Sequence, residues 1–312
     1  MPLRMVFFGS PEDAVPALSA VIDAGHTVAA VYTRPDREAG RKRQPTPTPV
    51  RVAAEARGLR VETPAGLRGE EVQETLRSLN ADVFIVAAYG RILPPEVLAM
   101  PRLGAVNIHP SLLPRYRGPS PVATAIRSGD AETGVSVMLL DEGMDSGPLL
   151  AQSSPVPLDG TERADELTAR LFRMGAEMLP GVLDALEAGS LTPTPQDESR
   201  VTVTHLTEKE DGKIDWSMPA AEIERMTRAF YPWPGAFTSL AGKNLKALSA
   251  VVAREGRSGP PGTVSVREKK IFVATGDGEL ELLEVQPEGK RPMSARDFLN
   301  GTPGLDGAVL GS

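Results

Sequence analysis

Residues 3–32 read LRMVFFGSPEDAVPALSAVIDAGHTVAAVY. The apolar run 3–8 predicts a buried strand, the Gly9-Ser10-Pro11 break ends it, and a helix near 13–24 leads to a second strand at 28–32. Strands separated by helices are typical of a mostly parallel sheet that is covered on both faces. A dinucleotide-binding turn needs three glycines, and only Gly9 is present here. The segment therefore predicts a Rossmann-like fold without the NAD-binding turn.

The alternation of strands and helices continues for more than half of the chain. We expect further strands at 82–88, 104–108 and 134–140, and apolar residues spaced by three and four predict an amphipathic helix from 164 to 186. Together these elements predict an α/β fold with an open, mostly parallel, Rossmann-like sheet. The helical pattern stops at Gly189.

A second, smaller domain is expected beyond this point. Residues 190–206 carry prolines and polar residues without an apolar period, which predicts a linker between a domain at 1–189 and another at 207–312. The last segment predicts one helix near 219–230 and short strands separated by Gly, Pro and charged turns. This pattern is typical of a β-barrel-like, OB-like domain.

Composition excludes several classes of protein. The chain has 312 residues, a net charge of −7 and no cysteine, so disulfides, thiolate metal sites and cysteine nucleophiles are excluded. Its three histidines are far apart, and no metal site is expected. No run approaches the roughly 18 apolar residues of a membrane span, and the opening lacks a signal-peptide layout. We therefore expect a cytoplasmic protein without membrane contact. We also expect it to be a monomer, although no feature of the composition bears on this.

The densest group of reactive side chains is the stretch NIHPSLLPRYRG at 107–118. Alternation along a strand places Asn107 and His109 on the same side. Both lie at the carboxyl end of a predicted parallel strand, where open α/β sheets bind their ligands. An uncharged amide donor beside an imidazole suits the stabilisation of an oxyanion on a tetrahedral carbon.

A second group, DEGMDSGPLL at 141–150, directly follows the strand 134–140. Two glycines and a proline allow a sharp turn, which we expect to present Asp141 and Asp145 at the same sheet edge as His109. A carboxylate beside His109 would favour the imidazolium and orient the ring. Each residue alone also fits a structural role: Asn107 could cap a turn, and Asp145 could cap a helix or be a solvated loop carboxylate.

These two stretches, with VAAYGRILP at 86–94, resemble the folate-dependent formyltransferase family in order and spacing. The resemblance covers most of residues 1–189. It implies that Asn107, His109 and Asp145 are catalytic, that 10-formyltetrahydrofolate is the formyl donor, and that no metal is used. It also implies a reduced-folate site, made by Arg91, Leu93, Ser111, Leu112, Leu113, Pro114, Asp141 and Gly143.

The part of the chain beyond residue 189 resembles one particular branch of this family. The stretches KEDGKIDW at 209–216 and RAFYPWPGA at 228–236 resemble the branch of the family that formylates methionyl-initiator-tRNA. We expect the rings of Trp216 and Trp233 to be core aromatics.

A Pro-rich loop at 34–49 also resembles that branch, in which an inserted loop touches the tRNA acceptor end. Five basic and two acidic residues fall between 34 and 43, which suits phosphate contact by Arg41, Lys42 and Arg43. A solvated surface loop is the alternative interpretation. We expect the loop to be poorly ordered without tRNA.

Departures and alternatives remain. Pro119 and Ser120 replace two alanines of the family pattern, and Asp13 replaces an aromatic residue, which puts details of the substrate pocket in doubt. A sugar-nucleotide formyltransferase would share the catalytic residues but accept another amine. A formyltetrahydrofolate hydrolase would transfer the group to water, and a non-catalytic tRNA- or folate-binding protein would need none of the three.

Overall fold

The computed structural model describes residues 1–39, 44–254 and 259–311, which fall into two compact units. The first unit comprises 1–121, 132–156 and 168–204. The second comprises 122–131, 157–167 and the described residues from 205 onward. The predicted linker at 190–206 thus lies almost wholly in the first unit, because its backbone pairs with other segments of that unit rather than with solvent.

The first unit is built on a seven-stranded sheet. Its strands, in spatial order, are β10 (Leu149–Gln152), β9 (Ser136–Leu139), β7 (Ala105–His109), β6 (Val83–Ala87), β1 (Arg4–Gly9), β2 (Thr27–Tyr32) and β5 (Val61–Glu62). The five strands from β7 to β5 are parallel, whereas β9 is antiparallel to β7 and β10 is antiparallel to β9. This mixed, mostly parallel sheet confirms the predicted Rossmann-like class.

Helices cover both faces of this sheet. They are α1 (Val15–Asp23), α2 (Pro49–Glu55), α3 (Glu70–Ser78), α4 (Pro95–Leu98) and the long α6 (Ala164–Glu187), whose first turn belongs to the second unit. One apolar core lies between the sheet and the helices α1, α2 and α6, and another lies between the sheet and α3 and α4. The central strands are buried on both sides, which explains their uninterrupted apolar sequences.

An aromatic cluster fills the second of these cores. The Phe8 ring lies 5.2–5.3 Å from the rings of Tyr32, Phe84 and Tyr89. Burial raises the pKa of the Tyr32 hydroxyl to about 12, because the phenolate would lose its hydration. The cluster fixes the end of β6, from which the segment 88–93 leaves the sheet.

The Pro-rich segment 34–49 is more regular than the sequence predicts. Two short strands, β3 (Arg37–Ala39) and β4 (Gln44–Thr46), pair antiparallel, with Arg37 opposite Thr46. The prediction of a loop without regular structure is wrong for these residues, because backbone pairing in a hairpin needs no apolar pattern. Arg41, Lys42 and Arg43 lie outside the described residues.

The second unit is an antiparallel β domain with one core. Its strands run in the spatial order β12 (Ala236–Leu240), β13 (Lys243–Arg254), β16 (Glu279–Pro287), β15 (Lys270–Ala274) and β14 (Val264–Arg267), and β17 (Met293–Ser294) pairs with β16. The chain end links the two edges, since Val309 pairs with Thr263 and the Gly311 amide donates to the Ser239 carbonyl at 2.9 Å. The sheet is therefore closed in the manner of a barrel, as predicted.

Helices and short pairings complete the two units. They are α5 (Pro121–Ser128), α7 (Ala220–Ala229), which packs against β13, α8 (Ala295–Asn300), and the paired strands β8 (Glu132–Thr133) and β11 (Val156–Pro157). In the parts of the chain that the structure describes, no helix is long and apolar enough to span a membrane.

The two tryptophans differ in burial. Trp216 is in the core of the second unit, and its indole N–H donates to Thr238 Oγ1 at 3.0 Å. Trp233 is 60% exposed. The expectation of two core aromatics is thus confirmed for Trp216 and wrong for Trp233, because the turn that follows α7 carries Trp233 outward.

One close approach couples α6 to the strand that carries the candidate catalytic residues. A Cβ atom at Gly175 would overlap the side chain of Ile108 in β7. We expect Gly175→Ala to lower the free energy of unfolding by about 1–3 kcal/mol, the typical cost of overpacking. The measurement is urea unfolding followed by circular dichroism.

Gly181→Ala in the same helix is the matched control. A Cβ atom at Gly181 meets nothing within 4 Å, and the residue is exposed. The better helix propensity of alanine should therefore raise the free energy of unfolding by about 0.5–1 kcal/mol. If both substitutions changed the free energy of unfolding in the same direction and by the same amount, the packing argument would be contradicted.

Candidate active site

The strand β7 places two polar side chains on one face of the sheet. Val106 and Ile108 point into the apolar core beneath α6, so Asn107 and His109 point to the opposite face. Both are buried, with 8% and 4% exposure. Within the described ranges the Asn107 side chain makes no hydrogen bond, so its amide is available to a ligand.

The His109 ring is held on both sides. Its Nε2 lies 2.8 Å from the carbonyl oxygen of Tyr116, and its Nδ1 lies 3.5 Å from Asp145 Oδ2. A carbonyl can only accept, so Nε2 carries a hydrogen and donates it. The Nδ1 atom is then the ring nitrogen that faces the carboxylate.

Asp145 lies beside His109 for a different structural reason from the predicted one. Because β9 is antiparallel to β7, with Ser136 opposite His109, the carboxyl end of β9 lies away from His109. The expectation that the turn presents both aspartates at the same sheet edge as His109 is therefore wrong for Asp141, whereas Asp145 does lie beside His109. Instead, the loop that follows β9 runs back toward His109.

The end of this loop is fixed at Asp145 itself. Asp145 adopts a left-handed backbone conformation with φ of 49°, and the Gly118 amide donates to its Oδ2 at 2.8 Å. The Asp145 carboxylate is thus shared between the Gly118 N–H and the His109 ring. His109 and Asp145 thus lie side by side, and Asn107 lies two residues before His109 on the same face of β7.

The predicted folate residues fall in three segments. Segments 88–93 and 110–114 both leave the carboxyl edge of the sheet, since β6 and β7 are parallel. In the first, Leu93 is buried, and Arg91 Nη1 donates to the Pro64 carbonyl at 2.8 Å. Burial raises the pKa of the neighbouring Tyr89 hydroxyl.

The segment 110–114 is held by side-chain hydrogen bonds. Ser111 Oγ donates to the Arg115 carbonyl at 2.6 Å, the Leu113 amide donates to Ser136 Oγ at 3.0 Å, and Gln152 Nε2 donates to the Leu113 carbonyl at 2.8 Å. Leu112 is half-buried above Gly134, and Pro114 is half-buried. This fixed backbone could form one wall of a planar ligand's site.

The third segment is a tight turn at the start of the 141–148 loop. Asp141 Oδ1 accepts from the Gly143 amide at 3.0 Å and from Ser146 Oγ at 2.8 Å. Asp141 and Gly143 stand at the end of β9, whereas the Asp145 carboxylate faces His109.

The other two histidines have contacts outside this site. His26 Nδ1 accepts from the Leu3 amide at 3.2 Å, and His205 forms an exposed ion pair with Asp211. Among the residues that the structure describes, no group of three histidine or acidic side chains could hold a metal ion.

Sequence reasoning missed the residues that hold the site together. Tyr116 and Gly118 contact His109 and Asp145 through backbone atoms, and residue type gives no signal for such contacts. Gln196, Thr202 and Thr204 lie in the segment predicted as a linker, yet all three contact the loops around His109. The sequence signal that could have found them is weak, since a polar segment without periodicity fits a linker equally well.

Comparisons with known proteins identify the family of this chain. Residues 3–183 match the family described as formyl transferase, and residues 207–303 match the formyl transferase C-terminal domain. The chain is 53% identical over 301 residues to a protein of Chloroflexus aurantiacus named methionyl-tRNA formyltransferase, covering 96% of this chain and 97% of that one. It is 52% identical over 313 residues to a protein of the same name from Roseiflexus castenholzii, covering the whole of both chains.

Solved structures share the fold at lower identity. An N-formyltransferase from Helicobacter canadensis, in complex with folinic acid and dTDP-3-aminofucose, gives a TM-score of 0.67 at 17% identity and covers 92% of this chain and all of its own. HypX from Aquifex aeolicus, in complex with tetrahydrofolic acid, gives a TM-score of 0.65 at 18% identity and covers 96% of this chain, which spans about half of HypX.

Two consecutive family domains and full-length relatives at about half identity lead to one assignment. The chain belongs to the formyl transferase family, and its relatives of equal length are methionyl-tRNA formyltransferases.

Proposed function

We propose that this protein transfers the formyl group of 10-formyltetrahydrofolate to the free amino group of methionyl-initiator-tRNA, giving N-formylmethionyl-tRNA for translation initiation. The observation that carries the proposal is the arrangement around His109, in which one ring nitrogen is fixed by a backbone carbonyl and the other faces Asp145. Because the acceptor is a charged tRNA, we place the reaction in the cytoplasm.

The catalytic step is an acyl transfer with a tetrahedral intermediate. The methionyl amine attacks the formyl carbon that is bound to N10 of the folate, and the carbonyl electrons move onto oxygen. Asn107 and the Nδ1–H of protonated His109 donate to this oxyanion, in a buried place where such donors act strongly. Asp145 keeps the imidazolium charged and assists proton movement from the attacking amine to N10, after which the C–N10 bond breaks. The step needs no metal ion, because the two donors stabilise the negative charge on the oxyanion.

We place the folate along the segments 88–93, 110–114 and 141–148. Arg91 and Leu93 would contact the pterin from one side, residues 111–114 from another, and Asp141 and Gly143 at the 141–148 loop. The HypX and Helicobacter structures hold folates, which supports a reduced folate as the donor here.

The second domain offers groups that suit an RNA ligand. Phe237 pairs with Lys246 in β13 and with Lys213, so these three side chains share one face of the sheet. Lys246 Nζ donates to the Pro234 carbonyl at 2.7 Å, next to the exposed Trp233. Aromatic rings beside ammonium groups bind unpaired bases and phosphates. We propose that residues 207–312 contribute tRNA affinity and no chemistry.

The acceptor is decided by one assay of the wild-type protein. Methionyl-tRNA, an amino-sugar nucleotide and water are offered separately with 10-formyltetrahydrofolate, and the formylated product is measured. We expect rapid turnover with methionyl-tRNA alone. Preference for the sugar or for water would support one of the alternative formyl-transfer reactions, and no turnover with any acceptor would support a binding protein.

Loss of an oxyanion donor should lower turnover strongly. We expect His109→Ala and Asn107→Ala each to lower kcat by about 100- to 1000-fold, the usual cost of losing one such donor. The measurement is single-turnover formylation of methionyl-tRNA, with circular dichroism to verify the fold. A kcat within tenfold of wild type for either variant would remove that residue from the mechanism.

Asp145→Asn tests the charge beside the ring. The amide keeps the size of the side chain but cannot stabilise an imidazolium, so we expect kcat to fall by about 100-fold or more with little change in folate binding. Steady-state kinetics and a folate titration give both values. Asp141→Asn makes the same charge change in the same loop. Because Asp141 is placed at the folate site, this variant should raise the KM for folate rather than lower kcat. An equal effect of both variants on KM would contradict the role of Asp145.

Charge reversal of Arg41, Lys42 and Arg43 tests the tRNA contact of the Pro-rich loop. If the three residues neutralise phosphates, tRNA binding should weaken severely in the variant. The log–log salt slope should also become shallower, by about one unit for each phosphate that is no longer neutralised. Filter binding at several salt concentrations measures both.

A reversal of Arg77, Arg170 and Arg173, which are exposed on α3 and α6, is the matched control for net charge. Normal tRNA binding with an unchanged salt slope in the loop variant would make the loop ordinary solvated surface. A similar weakening in both variants would show a non-specific charge effect.

A further inference from the structure

The segment 194–204 lies against the two loops that hold His109 and Asp145. Thr194 exchanges two backbone hydrogen bonds with Leu149, each 2.8 Å long. Further along, the Arg117 amide donates to the Thr202 carbonyl at 2.9 Å, and the Thr204 amide donates to the Arg117 carbonyl at 2.7 Å. The segment is thus paired at one end with β10 and at the other with the loop that follows β7.

Gln196 lies between these two pairings and is 8% exposed. Its Nε2 donates to the carbonyl oxygens of Asp145 and Gly147, both at 2.8 Å. Its Oε1 accepts from Arg117 Nε at 2.9 Å. The two carbonyls can only accept and the guanidinium can only donate, so the orientation of the amide is unambiguous and a carboxylate cannot replace it.

Arg117 is a buried member of the same hydrogen-bond network. It is 7% exposed, and its guanidinium also binds the exposed carboxylate of Glu198, with the shorter contact at 2.7 Å. Its two neighbours in sequence are the residues that hold the catalytic pair. The Tyr116 carbonyl accepts from His109 Nε2, and the Gly118 amide donates to Asp145 Oδ2.

Gln196 therefore links the loop that carries Asp145 to the loop that holds the His109 ring. It holds the carbonyl of Asp145, a residue whose left-handed backbone must be stabilised by its surroundings. It also holds Arg117, between the two backbone groups that contact His109 and Asp145. The Nδ1–Oδ2 separation of 3.5 Å is set by both loops together.

We propose that Gln196 is a positioning residue for the formyl transfer, acting through the backbone of Asp145 to hold the carboxylate against the His109 ring. This inference rests on the proposed function of Asp145. Gln196 does not touch the reacting atoms, and its effect is expected on turnover rather than on the binding of folate or tRNA.

The test is a double-mutant cycle with Gln196→Glu and Asp145→Asn. Glutamate keeps the acceptor for Arg117 and loses both donors, so kcat should fall by about 10- to 100-fold, the scale of a small misplacement of a catalytic group, with each KM within about threefold. In the double variant the fall in kcat should equal that of Asp145→Asn alone, because a residue that acts through Asp145 has nothing further to remove. Effects that multiply would overturn the proposal.

Gln73→Glu is the matched control. Gln73 lies on α3 and also donates from its amide to a backbone carbonyl, that of Leu67 at 3.2 Å, so the same chemical change occurs away from Asp145. Its kcat should stay within twofold of wild type. An equal fall in kcat for this variant would overturn the proposal by making the effect a general one of charge.

Folding and function are separated by two further measurements. If Gln196→Glu does not fold, Gln196→Asn, which keeps the amide but withdraws it by one methylene, should show the same fall in kcat, and unchanged kcat there would overturn the role. A wild-type protein that fails to formylate methionyl-tRNA would overturn the proposed function. An active wild type with Gln196→Glu within threefold of it would overturn only the role of Gln196.

Discussion

The hydrogen bond from His109 Nε2 to the Tyr116 carbonyl is the constraint on which the site depends. A buried imidazole must satisfy its polar atoms, and this bond uses one nitrogen for structure and leaves the other for chemistry. The carbonyl belongs to a residue with φ of 62°, in the loop that leaves β7. The conformation of that loop therefore decides which nitrogen of His109 faces Asp145.

The same loop explains why a polar segment far along the chain is part of the first unit. The backbone groups of residues 116 and 117 need hydrogen-bond partners, and residues 202 and 204 supply them. These bonds are made by backbone atoms and short hydroxyls, which leave no apolar period in the sequence. A segment of this kind has the composition of a linker and the hydrogen bonding of an edge strand.

This difference marks the limit of prediction from the sequence. The strand β7 can be predicted together with the common face of Asn107 and His109, because a period of two follows directly from strand geometry. The sequence also predicts the nearness of Asp145, but on an argument about parallel strands that β9 contradicts. Strand direction depends on pairing partners distant in sequence, and local patterns do not record it.

The two faces of β7 are therefore held by different interactions. On one face, Ile108 packs so closely against α6 that only glycine fits at position 175, and dispersion and apolar burial hold the strand. On the other face, a directional hydrogen bond to the loop that leaves β7 holds the His109 ring, and the neighbouring Asn107 amide is left for a ligand. Packing fixes the position of the strand, and hydrogen bonds fix the directions of the polar groups, because apolar contacts carry no directionality. A substitution in the core should thus change stability first, whereas one in the polar network should change the orientation of His109 and Asp145 in a protein that stays folded.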